Sequence, residues 1–384
     1  MKWTITENEE CECPGFTVDL LPKQIPANLH VLYKESQIYL QADGLAGIIP
    51  CASNNSILIE PKCKSLQPFA MYEYINDLTL HQSNKNGIDW DGNNVDFQSI
   101  ARKFANELIT IQCHQRLFKR LPIKKSRAVI KGKVDWPNTA LRILSGQIEP
   151  VISTALESTY DIPENEVISM AAKRCLPLFE HNTDEWGVLY SWASMSYKKV
   201  LTKESLLRLK GNLRNLQIGG AHAYYYTPIA LALVILGIDE AGNTSANNQS
   251  ILFNMPGLYE DYIRTAFMRK SAPKGYSCQK SFIPRSFLFS NGSCELEPDI
   301  TIYDGNNVLA VLDVKYKVPD SKDYYQIFTY MKYANLSKAF VISPYVRHNE
   351  TISAYDGSRI IGINISTSVH LSLEEIASDI IENL

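Results

Sequence analysis

No CxxC spacing repeats in this sequence. Its eight cysteines, at 11, 13, 51, 63, 113, 175, 278 and 294, with Cys11 and Cys13 the only close pair, therefore read as reduced structural thiols rather than a zinc ribbon or a disulfide framework. The seven histidines form no HExxH or other paired spacing, which removes the common zinc-hydrolase patterns. A GxxxxGK[ST] loop is missing too: GNLRNLQIGG and DGNNV supply neither the lysine nor the hydroxyl that cradles phosphate, so the chain is not expected to bind a nucleoside triphosphate itself. The most apolar run, IALALVILGI at 229–238, is too short to span a bilayer. The opening MKWTITENEECEC carries acids where a signal peptide would carry a basic and then an apolar region, and the expectation is a cytoplasmic protein with no membrane partner. Basic excess is lacking as well. With 38 Lys and Arg against 41 Asp and Glu the net charge is −3, so a grip on nucleic acid would need locally concentrated basic charge or a second subunit.

What is present is an ordinary globular composition. At 384 residues and 45% hydrophobic content the chain can build two or three domains with real cores, without repeats or low-complexity tracts. Residues 1–95 read as a β-rich domain, from the short runs HVLYKE, SQIYLQA, AGIIP and SILIEPK separated by Gly44, Gly47, Pro50 and Asn54-Asn55, with the first fifteen residues as a loose arm. A polar stretch at 78–97 reads as a long loop and boundary. Residues 96–241 read as a helical middle region. Its first helix has Asp96 and Ser99 as candidate caps and Ile100, Phe104, Leu108, Ile111 and Leu117 at helical spacing; PENEVISMAAKRCL, ESLLRLKGNLRNL and YYTPIALALVILGI follow. Between Arg116 and Lys133 lie eight basic residues and no acid, a tract that can meet phosphate or an acidic partner, or simply be a solvated face. GNTSANNQS at 242–250 opens the last domain, 242–384. There FNMPGLYEDYIRTAFMRK is a helix packing through Leu258, Tyr262 and Phe267, SFIPRSFLF an intervening strand, and LEEIASDIIENL a terminal helix with Ser372 and Glu375 as its capping box. The fold class expected is α+β and multidomain, with a mixed central sheet in the final domain.

The most informative stretch is Pro298 to Lys317, PDITIYDGNNVLAVLDVKYK. Two strand-like runs flank Asp304-Gly305-Asn306-Asn307, whose residues tolerate the positive φ of a tight turn, so the segment predicts a β-hairpin. Asp313 and Lys315, two apart on the second strand, leave one face while Leu312 and Val314 point into the core, and Asp299 at the start of the first strand can lie beside them across the ladder. Two carboxylates converging there repel and are desolvated unless a divalent cation neutralises them. A hard cation such as Mg²⁺ prefers carboxylate oxygens and activates water against a phosphodiester, while a lysine offsets developing charge. The next segment, KDYYQIFTYMKYAN, has helical spacing, with Tyr325, Phe328 and Met331 available for packing and Gln326 and Tyr330 on one face at i and i+4.

Pro-Asp, a gap, then Asp-x-Lys, followed by a helix bearing Gln and Tyr four apart, resembles the PD-(D/E)xK nucleases and their RecB-like branch. Together LYEDYI, PDITIYD, LDVKYK and YYQIFTY, with GLAGIIP, SILIEPK, VIKGKVDW and DIPENEVI upstream in the same order, resemble the McrC subunit of modified-cytosine restriction systems. The resemblance implies a C-terminal PD-(D/E)xK endonuclease domain with Asp299, Asp313 and Lys315 at its centre. It brings in Glu260, from the preceding helix, as a third carboxylate toward the metal, and Gln326 as a further member; spacing alone leaves Glu260 equally readable as a surface acid and Gln326 as part of a polar helix face. It also implies Mg²⁺ as cofactor, double-stranded DNA as substrate, and a McrB-like AAA+ GTPase as partner, which would hold the GTP and be stimulated by the N-terminal part of this chain. Two alternatives remain at this stage: an adaptor that activates the GTPase with little nuclease role, and an autonomous nuclease of repair or transposition.

Overall fold

The computed structural model describes residues 2–21, 26, 28–34, 37–51, 55–76, 97–197, 204, 208–209, 222–236, 251–367 and 369–384. Most of the polar stretch at 78–97, Asp96, most of ESLLRLKGNLRNL and nearly all of GNTSANNQS lie outside them. The chain divides into two compact units, one made of residues 1–95 with 250–384 and the other of 96–249. Where the sequence reading separates 1–95 from 242–384, the structure packs them together.

The first unit begins with β1 (Lys2–Thr6), β2 (Cys11–Glu12), β3 (Leu29–Lys34), β4 (Gln37–Ala42), β5 (Leu45–Cys51) and β6 (Asn55–Glu60), then α1 (Pro68–Ile75). The strands of the four apolar runs are all present. The loose arm is not: β1 pairs in parallel with β6, and Trp3 and Ile5 are buried in a core with Phe16, Leu40, Ile49 and Ile57. Alternation of Trp3 and Ile5 with polar Lys2 and Thr4 is the signal that five residues are too short to make decisive. β2, β4 and β3 form a separate three-stranded antiparallel sheet.

The second unit contains α2 (Phe97–Cys113), β7 (Lys119–Arg127), β8 (Lys133–Val134), α3 (Trp136–Leu144), β9 (Val151–Thr159), α4 (Pro163–Cys175), α5 (Asp184–Ala193) and α6 (Tyr226–Leu236). α2 buries Ile100, Phe104, Leu108 and Ile111, as its periodicity predicts. A buried polar network ties this bundle: Leu117 N–H donates to Tyr225 Oη at 2.9 Å, Tyr225 Oη–H to Asn165 Oδ1 at 2.9 Å, and Asn165 Nδ2–H to the Leu117 carbonyl at 2.9 Å. The purely helical reading of this region needs correction, because β7, β9 and β8 make a three-stranded antiparallel sheet. That small sheet leaves Leu156 exposed and carries lysines along β7, so the apolar alternation by which a half-buried strand is recognised is weak.

The chain then returns to the first unit with β10 (Ile251–Asn254), α7 (Met255–Ser271), β11 (Ser277–Gln279), β12 (Ile300–Asp304), β13 (Asn307–Val314), α8 (Ser321–Tyr333), β14 (Lys338–Ser343), β15 (Thr351–Ser353), β16 (Arg359–Asn364) and α9 (His370–Glu382). β10 closes the N-terminal sheet in the order β1-β6-β5-β10. The large sheet runs β11-β12-β13-β14-β16-β15, antiparallel at both edges and parallel where β14 meets β13 and β16, a mixed sheet as expected. Helices cover both of its faces. Ala310, Leu312 and Val314 pack with α7 and α9 residues such as Tyr262, Phe267 and Ile381, while Val311, Val341 and Ala339 pack with Ile327, Tyr330 and Met331 of α8.

Three local expectations change. The strand before the hairpin is Ser277–Gln279, not SFIPRSFLF: Pro284 has no N–H for a ladder, and Ile283, Phe287, Leu288 and Phe289 are exposed. α8 buries Ile327 and Met331 with Tyr330, leaving Tyr325 exposed. α9 starts at His370, so Ser372 lies inside the helix, and its N-cap Val369 makes no side-chain capping bond. Among the described residues, no helix is long and apolar enough to cross a membrane.

Candidate active site

The hairpin forms as its turn chemistry predicts. β12 and β13 pair antiparallel with Ile300 opposite Leu312, joined through Gly305 at φ 58°, a conformation that costs glycine little. Continuing that register places Asp299 opposite Asp313. The ladder is extended there by a side chain: Asp299 Oδ2 accepts the Val314 N–H at 2.8 Å. On the other side of β13, the Lys315 N–H donates to the Ile342 carbonyl at 2.8 Å, so the lysine leaves from a backbone fixed by β14. Asp313 shares its face with Val311, which α8 covers; its carboxylate is 1% exposed and Lys315 17% exposed. The expectation that only Leu312 and Val314 point into a core is therefore too simple. A strand flanked by parallel pairing and helices is buried on both faces.

Burial of two acids side by side sets the electrostatics. Asp299 is pushed up to about 7, first by burial, then by the neighbouring charges of Asp313 and Glu260, against the pull of the Val314 N–H and Lys315. Asp313 is also raised, chiefly by burial, although Lys315 opposes this. Burial works to lower the Lys315 ammonium, but Asp313 and Asp299 outweigh it and the net shift is upward. Lys315 Nζ lies 2.7 Å from Asp313 Oδ2, yet neither Asp313 oxygen has a hydrogen-bond partner of acceptable geometry. A buried carboxylate left this way costs free energy that a bound cation would recover.

Asp299, Asp313 and Lys315 are thus brought together. Glu260, on α7, is near enough for its charge to act on Asp299, but its Oε1 is engaged by Arg264 at 2.6 Å and Lys280 at 2.7 Å. Gln326 reaches the cluster indirectly: its Nε2–H donates to Tyr330 Oη at 2.7 Å, and the tyrosine, whose Oη–H points to the Glu297 carbonyl at 3.3 Å, feels the charges of Asp313 and Asp299. Two charged neighbours were not signalled by the motif. Lys280, just after β11, sits between Glu260 and the field of Asp299. Asp323 joins Asp320 in the capping box of α8, pairs with Lys317 at 2.9 Å, and its charge helps raise Asp313. The Asp320-x-x-Asp323 spacing was the available signal for that box.

The donor set suits a hard cation. Carboxylate oxygens from Asp299 and Asp313, both acids buried and Asp313 Oδ1 without a hydrogen-bond partner, match the preference of Mg²⁺, which commonly leaves its other positions to water and phosphate oxygens. Among the described residues no group of three or more His, Cys, Asp or Glu is gathered in a metal-holding arrangement, and the carboxylates that would hold such an ion are those of Asp299 and Asp313.

Fold and site together define an α+β protein carrying a buried carboxylate–lysine cluster at the end of a central hairpin in a mixed sheet. The chain belongs to the McrBC 5-methylcytosine restriction system component family, whose model matches residues 40–344, and the McrC-type character read from the sequence stands with it. It shares its fold with a chain from a refined half-complex of a tetradecameric assembly of Thermococcus gammatolerans McrB AAA+ hexamers with bound McrC, at 14% identity over 100% of both chains and a TM-score of 0.59. A chain of the T. gammatolerans McrBC complex also matches, at 13% identity over 70% of this chain and 88% of that one, with a TM-score of 0.41. No curated protein matches at a significant level.

Proposed function

We propose that this chain is the Mg²⁺-dependent DNA endonuclease subunit of a modification-dependent restriction complex, with a PD-(D/E)xK centre, working in the cytoplasm with a McrB-like AAA+ GTPase. The observation that carries the reading is the cluster itself: Asp313, a carboxylate only 1% exposed, lies beside the buried Asp299 and is paired with Lys315 at 2.7 Å. One lysine cannot compensate two buried carboxylates, and a divalent cation would supply the missing charge. Mg²⁺, held by Asp299 and Asp313, would supply Lewis-acid polarisation of a phosphodiester and activation of water. Lys315, held ammonium by its two acidic neighbours, offsets negative charge as it develops on phosphorus oxygens. Tyr330 and Gln326 approach the site from the α8 side, and Lys280 pairs with Glu260 near its edge.

The basic tract does not support an autonomous grip on DNA. Lys119 pairs with Glu164 at 2.5 Å, Lys124 with Asp135 at 2.5 Å, and Lys125 and Arg127 with Glu157 at 2.7 and 2.5 Å, so half of its eight cations already have acidic partners. A motor subunit supplying the DNA contacts fits that balance. The second unit also carries exposed apolar side chains on α3 and the segments flanking it in sequence, Val129, Ile130, Trp136, Leu141, Leu144 (85% exposed) and Ile148 (95% exposed), and exposed apolar surface is where a protein contact is sought. It is the surface through which the chain would engage and stimulate the GTPase.

The test is cleavage of methylated and unmethylated plasmid with Mg²⁺ by the chain alone and with its GTPase partner and GTP. Cleavage confined to partner, GTP and methylated DNA is expected. Cleavage by the chain alone would sink the partner half of the proposal, and stimulation of GTP hydrolysis without cleavage under any condition would leave only the adaptor.

A further inference from the structure

Glu7, at the end of β1, is fully buried, although nothing in the nuclease chemistry requires a carboxylate there. Its backbone N–H donates to the Glu60 carbonyl at 2.8 Å, which fixes it to the β6 end of the N-terminal sheet. Its Oε2 accepts two hydrogen bonds, from the Tyr316 hydroxyl at 3.0 Å and from the Lys62 N–H at 3.1 Å, while Oε1 has no partner. Lys62 turns its ammonium over the Tyr316 ring, 4.5 Å from the centroid. A buried acid with an unpaired oxygen is a costly way to fill space, since an apolar side chain of similar volume would pack there without that penalty.

Tyr316 is the residue that follows Lys315. Tyr316 stands in the bend that follows β13, so anchoring its hydroxyl on Glu7 holds the backbone from which its immediate neighbour Lys315 leaves. The Tyr316 ring also packs against Tyr259, with centroids 5.5 Å apart and planes at 45°, and the Tyr259 hydroxyl donates to the Ile365 carbonyl at 2.6 Å. Tyr259 precedes Glu260. One buried acid of the N-terminal sheet therefore holds the immediate neighbour of Lys315, and through ring contact the immediate neighbour of Glu260.

We infer that Glu7 and Tyr316 are positioning residues, through which the N-terminal sheet sets Lys315 against Asp313. This rests on the nuclease reading above. A misplaced charge of this kind costs rate rather than binding, since a shift of about 1 Å at a reacting centre is worth up to about 100-fold.

The experiment uses the full chain with its GTPase partner, GTP, Mg²⁺ and methylated plasmid, and compares wild type with Tyr316→Phe, Glu7→Ala, Glu7→Gln and Asp313→Ala. Tyr316→Phe, which removes one oxygen from the ring, is expected to lower kcat about 10- to 100-fold, with KM and GTPase stimulation unchanged, when assayed well below a melting temperature that the lost hydrogen bond to Glu7 lowers. Glu7→Ala should do the same, and Glu7→Gln, which keeps an acceptor in place, should restore most of the rate. Wild-type kcat in Tyr316→Phe overturns the inference, as does a loss that falls on KM with kcat unchanged. If Tyr316→Phe does not fold, the ratio of Glu7→Gln to Glu7→Ala decides, and equal rates in the two overturn it. An inactive wild type, or an active Asp313→Ala, sinks the nuclease reading and the inference with it. An active wild type and a dead Asp313→Ala, together with a fully active Tyr316→Phe, sink the inference alone.

Discussion

Asp313 and Asp299 make opposite demands on the protein with and without a cation. Both are raised above the ordinary carboxylate value, Asp299 to about 7, so the folded metal-free protein holds protons that the unfolded chain has already lost. Between about pH 4, the unperturbed value, and pH 7 the native state binds more protons than the unfolded state, and this pair makes stability fall as pH rises through that window. A cation bound by the pair, as proposed, would reverse the sign, because it would favour the ionised form. In EDTA the denaturation midpoint should therefore drop between pH 5 and pH 8 by more in wild type than in Asp313→Asn, and Mg²⁺ should restore it at pH 8 in wild type only; equal pH responses of the two proteins would contradict the raised pair. Lys315 acts in the other direction. Lys315→Ala leaves Asp313 buried without its cation, so cleavage should fall roughly 100- to 1,000-fold and metal-free stability by about 3 kcal/mol, read by plasmid cleavage and urea titration.

Among the elements, β5 and β10 join parts of the chain some two hundred residues apart, and Gly47 is where they meet most closely. Its φ of 139° lies in the region L side chains avoid, and a Cβ there would stand 2.0 Å from the Ile251 carbonyl oxygen. Gly47→Ala must break or shift the Leu252–Gly47 pairing, so a loss of at least roughly 1–3 kcal/mol is expected, visible as a lower urea midpoint; an unchanged midpoint would mean that β10 does not need this approach. The start of α8 offers a milder test. Asp320 accepts from the Lys322 and Asp323 N–H groups at 2.7 and 3.2 Å, and Asp320→Ala should cost about 1 kcal/mol. The sequence reading handled elements unevenly for a physical reason. α2 and α7 announce themselves through helical periodicity over 17 residues each, whereas β1 and β11, five and three residues long, offer too few alternations to be recognised without their partners.

At the scale of the whole molecule, the two features on which the proposed function rests lie in different units: the carboxylate–lysine cluster in the one made of residues 1–95 and 250–384, the exposed apolar side chains in 96–249. The two activities should then separate by mutation. Trp136→Ser with Leu144→Asp changes exposed residues and should leave the melting temperature within a degree or so, since surface substitutions of this kind stay within about 0.5 kcal/mol. The same double variant should lower stimulation of partner GTP hydrolysis at least about 10-fold, the scale of losing a central apolar contact. Full stimulation by this variant would move the contact elsewhere. Asp313→Ala should do the reverse, abolishing cleavage and keeping stimulation.

The sequence by itself determined what is local. DGNN between two apolar runs favours a tight hairpin because such residues accept the turn's φ, and the spacing of two puts Asp313 and Lys315 on one face as long as the extended backbone runs through them. Tertiary structure decided what depends on distant partners. α8 and the helices opposite it bury both faces of β13, turning an apparent edge carboxylate into an interior one. The acids Glu157, Glu164 and Asp135 quench half of a tract that reads as free positive charge. Glu7 looks like one more acid in an acidic opening, and only a contact spanning 309 residues places it against Tyr316, beside the lysine of the site. A pattern within one element is fixed by backbone geometry, but burial and pairing between elements are fixed by packing, which no short stretch of sequence contains.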